Sequence, residues 1–230
     1  MSNDNLPEWE EVLSSAAHLQ RIIPDTVLVG GTAASVYATH RLSTDADHVL
    51  VDLQQRFDDV LAELESVAGW KTARVRRPVL ILGSLDGIET GVRQLIRDIP
   101  LETAEIEHKG EKITVPTEAE ILRIKAVLIL KRNATRDYLD FVALAEHIGP
   151  EKIVDALRSF DELYPQPSGE SALLQLQIQL AQPMPYDLEE LNLDEYKNLV
   201  QRWRNWKNVK ASCIDAATLI FDQIVGTNDS

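Results

Sequence analysis

The chain has a single cysteine, Cys213, among its 230 residues. One thiol excludes an intramolecular disulfide framework and fits a reducing cytoplasm, and Cys213 is read as core packing rather than as a nucleophile. Long apolar runs are also missing. None approaches the roughly 18–20 residues of a membrane span, and the acidic opening "MSNDNLPEWEE" carries no apolar signal region. The expectation is a soluble, cytoplasmic protein with no membrane partner. Positive charge is scarce, with 23 Lys and Arg against 37 Asp and Glu and a formal net charge of −14. That balance excludes a general nucleic-acid coat protein and leaves room only for a local basic groove. The five histidines, His18, His40, His48, His108 and His147, show no metal-ligand spacing. There is no Gly-x-Ser-x-Gly elbow, P-loop lysine motif or Rossmann glycine fingerprint.

At 44% hydrophobic, the chain has enough apolar residues for one large domain or two small ones. Apolar spacing predicts a helix over 7–22, closed by Pro24, and a short strand "TVLV" over 26–29. A glycine pair then enters a helix, a strand returns over 45–52, and a helix covers 54–69. Three strand-like runs follow, with the turn dipeptide Asp86-Gly87 between the last two. A further hairpin is centred on Lys109-Gly110. Beyond Pro116 the pattern is helical, with helices expected over 117–132, 135–149, 150–160, 170–181 and 188–224. The fold class is therefore α+β, with a mixed α/β domain over 1–116 followed by an all-helical domain over 117–230.

The informative stretch is "VLVGGTAASVYATHRLSTDADHVL", residues 27–50. Asp45 and Asp47 at i and i+2 of a strand point to the same face. Two like charges there repel unless a hard cation lies between them, and Mg²⁺ is held by carboxylates together with phosphate oxygens and water. Gly30 and Gly31 let the backbone approach a ligand, the helix start offers free N–H groups to a phosphate, and Thr32 adds a hydroxyl. A lone Gly-Gly or a lone Asp-x-Asp is a common surface feature. The order strand, Gly-Gly-hydroxyl, helix, strand with Asp-x-Asp describes a metal-dependent nucleoside triphosphate site.

With "GGTA" and "HRLSTDAD" in place, the chain resembles the AbiEii-type nucleotidyltransferases of the DNA polymerase β superfamily. A second matching segment is "KAVLILKRNATRDYLDFVAL", residues 125–144. The resemblance implies a nucleotidyltransferase-type mixed sheet with flanking helices, Gly30, Gly31 and Thr32 on the triphosphate, and Asp45 and Asp47 on Mg²⁺ or Mn²⁺. His40, Arg41, Ser43 and Thr44 belong to the same pattern, with Arg41 assigned to the nucleotide. Lys125, Arg132, Arg136, Asp137 and Asp140 carry over from the second segment. Ala46 stands where the family has a large aliphatic residue, and His48 where an apolar or aromatic one is common. Glu89 is the candidate third carboxylate for metal, since the Asp-Gly turn already accounts for Asp86.

The activity implied is transfer of a nucleoside monophosphate from an NTP to a hydroxyl of RNA, such as tRNA, or of protein. The protein would be the toxin of a toxin–antitoxin pair, with an antitoxin as partner. Asp45, Asp47 and Glu89 would serve the metals. Lys125 and Arg136 would supply charge to the nucleotide. Asp140 would handle a proton or orient Lys125, its plainer alternative being an i,i+4 salt bridge with Arg136. The rival reading is a catalytically inactive nucleotide- or protein-binding module on the same fold, and a third is a purely structural interaction protein. Two basic clusters remain. "KNLVQRWRNWKNVK" (197–210) has Leu199, Trp203, Trp206 and Val209 at the spacing of a core face. "KTARVRR" (71–77) reads as an RNA or nucleotide contact, or as an edge strand blunted by charge.

Overall fold

A computed structural model describes residues 9–225, so the first two positions of the expected helix over 7–22 lie outside it. The described chain forms two compact units. One runs to Ala33 and resumes over Ser43–Thr117. The other joins Ala34–Leu42 to the chain from Glu118 onward. Residues 34–42, placed with the first domain by the sequence, pack with the helices instead. The physical reason is their attachment to the α5 carboxylate described below.

In the first unit the elements are α1 (Trp9–Ile22), β1 (Val27–Leu28), the start of α2 (Gly30–Ala38), β2 (Ala46–Leu50), α3 (Phe57–Ser66), β3 (Trp70–Arg76), β4 (Leu80–Leu85), β5 (Ile88–Gln94), β6 (Thr103–His108) and β7 (Glu111–Pro116). Five strands form one sheet in the order β1-β2-β5-β4-β3, and β6 and β7 pair separately. Only β2 and β5 are parallel, and the remaining pairs are antiparallel. The β4–β5 and β6–β7 turns use Asp86-Gly87 and Lys109-Gly110, all at positive φ. That is the geometry that matches strand twist in a two-residue hairpin.

The pleat of β2 sorts its residues. Ala46, His48 and Leu50 are buried, while Asp47 and Val49 lie on the other face. On the buried side Leu50 joins Leu19 of α1 and Ile23 just after it, Phe57, Val60 and Leu64 of α3, and Trp70, Ile81 and Val92 of the sheet. His48 is wholly buried here, where the sequence marks it as a departure. Its Nδ1–H donates to the Ala46 carbonyl at 2.9 Å, and the Thr90 hydroxyl donates to the same carbonyl.

The second unit contains α4 (Glu118–Arg132), α5 (Thr135–Ile148), α6 (Pro150–Leu157), α7 (Phe160–Leu163), α8 (Ala172–Ala181) and α9 (Trp206–Ile220). Ala134 gives α5 no side-chain cap. Asp187 supplies it from elsewhere, accepting from the Thr135 amide at 2.8 Å and the Thr135 hydroxyl at 2.7 Å. The helix expected over 188–224 is broken. Only single turns form at Leu193–Glu195 and Gln201–Arg204, before α9 starts at Trp206 and a π-turn closes Phe221–Val225. The backbone between those turns is committed elsewhere: the Lys197 carbonyl accepts from Leu42 N and Val200 N donates to the His40 carbonyl, both at 2.9 Å. Leu199, Trp203 and Val209 are buried as a core face requires, and Trp206 packs edge-on against Tyr138. No described helix is long and apolar enough to cross a membrane.

Burial pushes the His48 imidazole down to about 4, outweighing the opposing effect of the Ala46 and Ala16 carbonyls. The unfolded chain therefore binds a proton between pH 6.5 and 4 that the folded chain refuses. Stability from this group is complete above pH 6.5 and is lost as pH falls to 4, a loss of about 3 kcal/mol at 1.36 kcal/mol per pH unit. Urea unfolding across pH 4–7 should show this decline in the natural chain and lose it in His48→Leu. A His48→Leu profile parallel to that of the natural chain would contradict the assignment.

Candidate active site

The turn from β1 into α2 places the first site in the first unit. Val29 N donates to the Asp47 carbonyl at 2.8 Å, which joins the end of β1 to β2. Gly30 then turns into the helix at φ +76, a conformation costly for any residue with a Cβ. Space is not the restriction, because a Cβ at Gly30 would lie 3.5 Å from the Asp47 Cβ and 3.6 Å from its Oδ2. Those distances also show that the Asp47 carboxylate stands against the first residue of α2. The buried Thr32 hydroxyl donates to the Asp45 carbonyl, and the Thr44 hydroxyl donates to Asp45 Oδ1 at 2.9 Å. The structure thus brings Gly30, Thr32, Asp45 and Asp47 together, with Gly31 as the second residue of α2.

The neighbouring strand completes the surface. Asp47 pairs in register with Gly91 of β5, so Glu89, Gly91 and Arg93 lie on the aspartate face while Ile88, Thr90 and Val92 are buried. Glu89 is exposed on β5, one position before the Ala46–Thr90 pair that begins the ladder with β2. Arg93, which the sequence does not single out, places Nη2 at 3.5 Å from Asp47 Oδ1. The i,i+4 relation to Glu89 is the signal that would have found it. Among the described residues no group of three or more His, Cys, Asp or Glu side chains is arranged to hold a metal. The donor set on this face is two partly exposed carboxylates of hard oxygen, which suits Mg²⁺ completed by phosphate and water.

The second unit carries a different cluster, built on one carboxylate. Asp140 on α5 is fully buried. Its Oδ1 accepts from His40 Nε2 at 2.7 Å and Arg41 Nε at 2.7 Å. Its Oδ2 accepts from Arg41 Nη2 at 3.0 Å and Lys125 Nζ of α4 at 2.7 Å. Lys125 itself is only 2% exposed, so its ammonium is committed to this carboxylate. Burial alone would raise the Asp140 carboxyl. The Arg41 guanidinium and Lys125 ammonium, with the His40 hydrogen bond, outweigh it and hold the carboxyl well below the usual range.

The i,i+4 bridge to Arg136 does not form, because Arg136 is exposed at the start of α5 while Asp140 faces the interior. Asp137, by contrast, takes a two-point contact from Arg132 at 2.8 and 3.1 Å.

Replacing Asp140 by Asn removes the carboxylate charge that the buried Lys125 and the Arg41 guanidinium share. Asp140→Asn should cost about 3–5 kcal/mol of unfolding free energy at pH 7, and Lys125→Met less, since the carboxylate keeps Arg41 and His40. The folded carboxyl sits below its unfolded value, so its contribution is present above about pH 4 and is lost as pH falls through the folded value. Urea denaturation should show Asp140→Asn as the costlier variant and the less steeply acid-sensitive below pH 4. Equal stability of Asp140→Asn and the natural chain would contradict the reading.

Comparison with known proteins follows the same lines. The profile of the "Nucleotidyl transferase AbiEii toxin, Type IV TA system" family matches residues 13–226. Among solved structures, JHP933 from Helicobacter pylori superposes with a TM-score of 0.57 at 17% identity, covering 98% of this chain and 97% of that one. An antigenic nucleotidyltransferase-like protein from Paracoccidioides brasiliensis gives 0.51 at 19% identity, over 78% and 90%. These likenesses are of fold. The heme uptake protein MmpL11 of Mycobacterium tuberculosis is 27% identical over 236 residues, 92% of this chain but only 23% of that protein. Its Mycobacterium leprae counterpart, a "Probable transport protein MmpL11", matches at 30% over 54% of this chain and 12% of its own length. The chain therefore spans less than a quarter of the length of these relatives. The family match covers nearly the whole chain, and the chain belongs to the AbiEii nucleotidyltransferases, the toxin family of type IV toxin–antitoxin systems.

Proposed function

We propose that the chain transfers a nucleoside monophosphate from an NTP to a hydroxyl of RNA or protein, with Mg²⁺ or Mn²⁺ as cofactor. The carrying observation is that the Asp47 carboxylate lies beside Gly30 at the start of α2, where an added Cβ would meet its Oδ2 at 3.6 Å. Carboxylates suited to a metal beside backbone donors suited to a phosphate support this reading. The acceptor oxygen attacks the α-phosphorus, the bond to the bridging oxygen of the β-phosphate breaks, and pyrophosphate leaves. Asp45 and Asp47 would hold the cation, which would supply Lewis-acid charge stabilisation at the phosphates, while Glu89 lies on the same face without joining them in a three-carboxylate group. The α2 start would orient the triphosphate end, and the buried Thr32, bonded to the Asp45 carbonyl, holds the aspartate segment against it. In the second unit Asp140 is a positioning residue that fixes Arg41 and Lys125 by ion pairs. By family, the physiological role is that of a toxin with an antitoxin partner, acting in the cytoplasm.

One observation favours the rival reading of a nucleotide-binding module without catalysis. Arg93 already neutralises part of the Asp47 charge.

The test mixes the protein with Mn²⁺ or Mg²⁺, each labelled NTP in turn, and total RNA plus cell protein as acceptors. Label is expected in one acceptor class, and Asp47→Asn should reduce it at least 100-fold. Metal-dependent NTP binding without any labelling would establish the module instead.

A further inference from the structure

The ten residues of α8, "ALLQLQIQLA", include no charged side chain, in a chain that is 26% charged. Ala172, Leu173, Leu176 and Leu180 form its buried face, and it packs against α4, α7 and α9. Only two of its positions are exposed, and both carry large apolar side chains, Leu174 and, at 60% exposure, Ile178. A surface helix turns polar and charged residues to solvent, and a helix that is apolar on its outer face as well is one whose outer face is covered.

The apolar stripe continues onto α9, where Ile214 and Phe221 are exposed two turns apart. The α9 positions turned toward α5 and α6 are Ser212, Asp215, Ala216 and Leu219, which line a groove with Val142 and Ile153. At about 3.6 residues per turn, Ile214 and Phe221 stand on the opposite edge of the helix, the edge that packs beside α8. The residues that follow Val225, "GTNDS", contain no apolar side chain to cover this band.

Charge marks the two ends of the band with opposite signs. Gln179 near the end of α8 and the Tyr138 hydroxyl both donate to Asn133 Oδ1, and Trp206 at the start of α9 packs on Tyr138. The end of α8 therefore lies with the start of α9, and the two helices run antiparallel. Lys207 and Lys210, seven and four residues before Ile214 on the same edge of α9, are exposed at that end. Glu170 before α8 and Asp222 after α9 are exposed at the other. None of the four has an ion pair among the described residues. The order also opposes the α9 dipole, which favours acid at a helix start and base at its end; the first turn of α9 holds no acid and its last turn no base.

We propose that the α8–α9 face joins two copies of the chain in an isologous dimer. Leu174, Ile178, Ile214 and Phe221 form its uncharged centre, as interface cores require. A two-fold axis through that centre lays Lys207 and Lys210 against Glu170 and Asp222 of the partner subunit, and does so twice. The same pairing supplies the charge that each end of α9 lacks. A partner of one sign, such as an anionic lipid surface, would be repelled at one end of the band.

Sedimentation velocity over about 1–100 µM tests the dimer, whose population depends on protomer concentration. The natural chain should form a species of twice the 25.8 kDa chain mass. Ile178→Glu changes a side chain that is exposed in the single chain, so its far-UV circular dichroism should be unchanged, while its dimer dissociation constant should rise at least about tenfold through burial of an unpaired charge. Lys207→Glu/Lys210→Glu and Glu170→Lys/Asp222→Lys should each be monomeric alone, and an equimolar mixture of the two should dimerise. A natural chain that stays monomeric throughout would overturn the proposal and leave the face to a protein of another sequence. A dimer unaffected by Ile178→Glu would overturn it too, as would two charge-reversed variants that fail to pair with each other.

Discussion

The alternation of β2 is the constraint on which the first unit depends. Five residues carry two incompatible demands, a core on one side and a pair of carboxylates on the other, and only the two-residue period of a strand separates them. Ala46, His48 and Leu50 meet the core, while Asp47 and its neighbour Asp45 stay on the side where charge is tolerated. A slip of one residue would bury Asp47 and expose the core side chains. The Thr90 and His48 bonds to the Ala46 carbonyl, and the Val29 bond to the Asp47 carbonyl, hold that register from both neighbours.

The second unit solves the opposite problem, a charge that must be inside. Asp140 is buried at the centre of four donor contacts from His40, Arg41 and Lys125. Two of those donors come from 99 and 100 residues away in sequence. This is why residues 34–42 fold with the helices, and why the chain around Lys197–Val200 gives up a continuous helix to bond the same segment.

The parts of this architecture that were legible in the sequence are those set by short-range rules. Asp86-Gly87 and Lys109-Gly110 announced their hairpins, apolar spacing located most helices, and the glycine–aspartate order located the first site. What the sequence hid is long-range pairing. "RDYLD" reads as an i,i+4 pair of Arg136 with Asp140, yet burial of Asp140 and exposure of Arg136 are decided by α4 and the 40–41 segment. Arg93 was hidden because its meaning depends on which strand lies beside β2, a parallel partner more than forty positions away.

The central claim is that Asp45 and Asp47 hold a divalent cation together with the triphosphate. Electron paramagnetic resonance of Mn²⁺ in the presence of a non-hydrolysable NTP analogue tests it directly. The account predicts a bound Mn²⁺ signal in the natural chain that requires the analogue and is lost in Asp45→Asn/Asp47→Asn. A bound signal that persists in the double variant would contradict it.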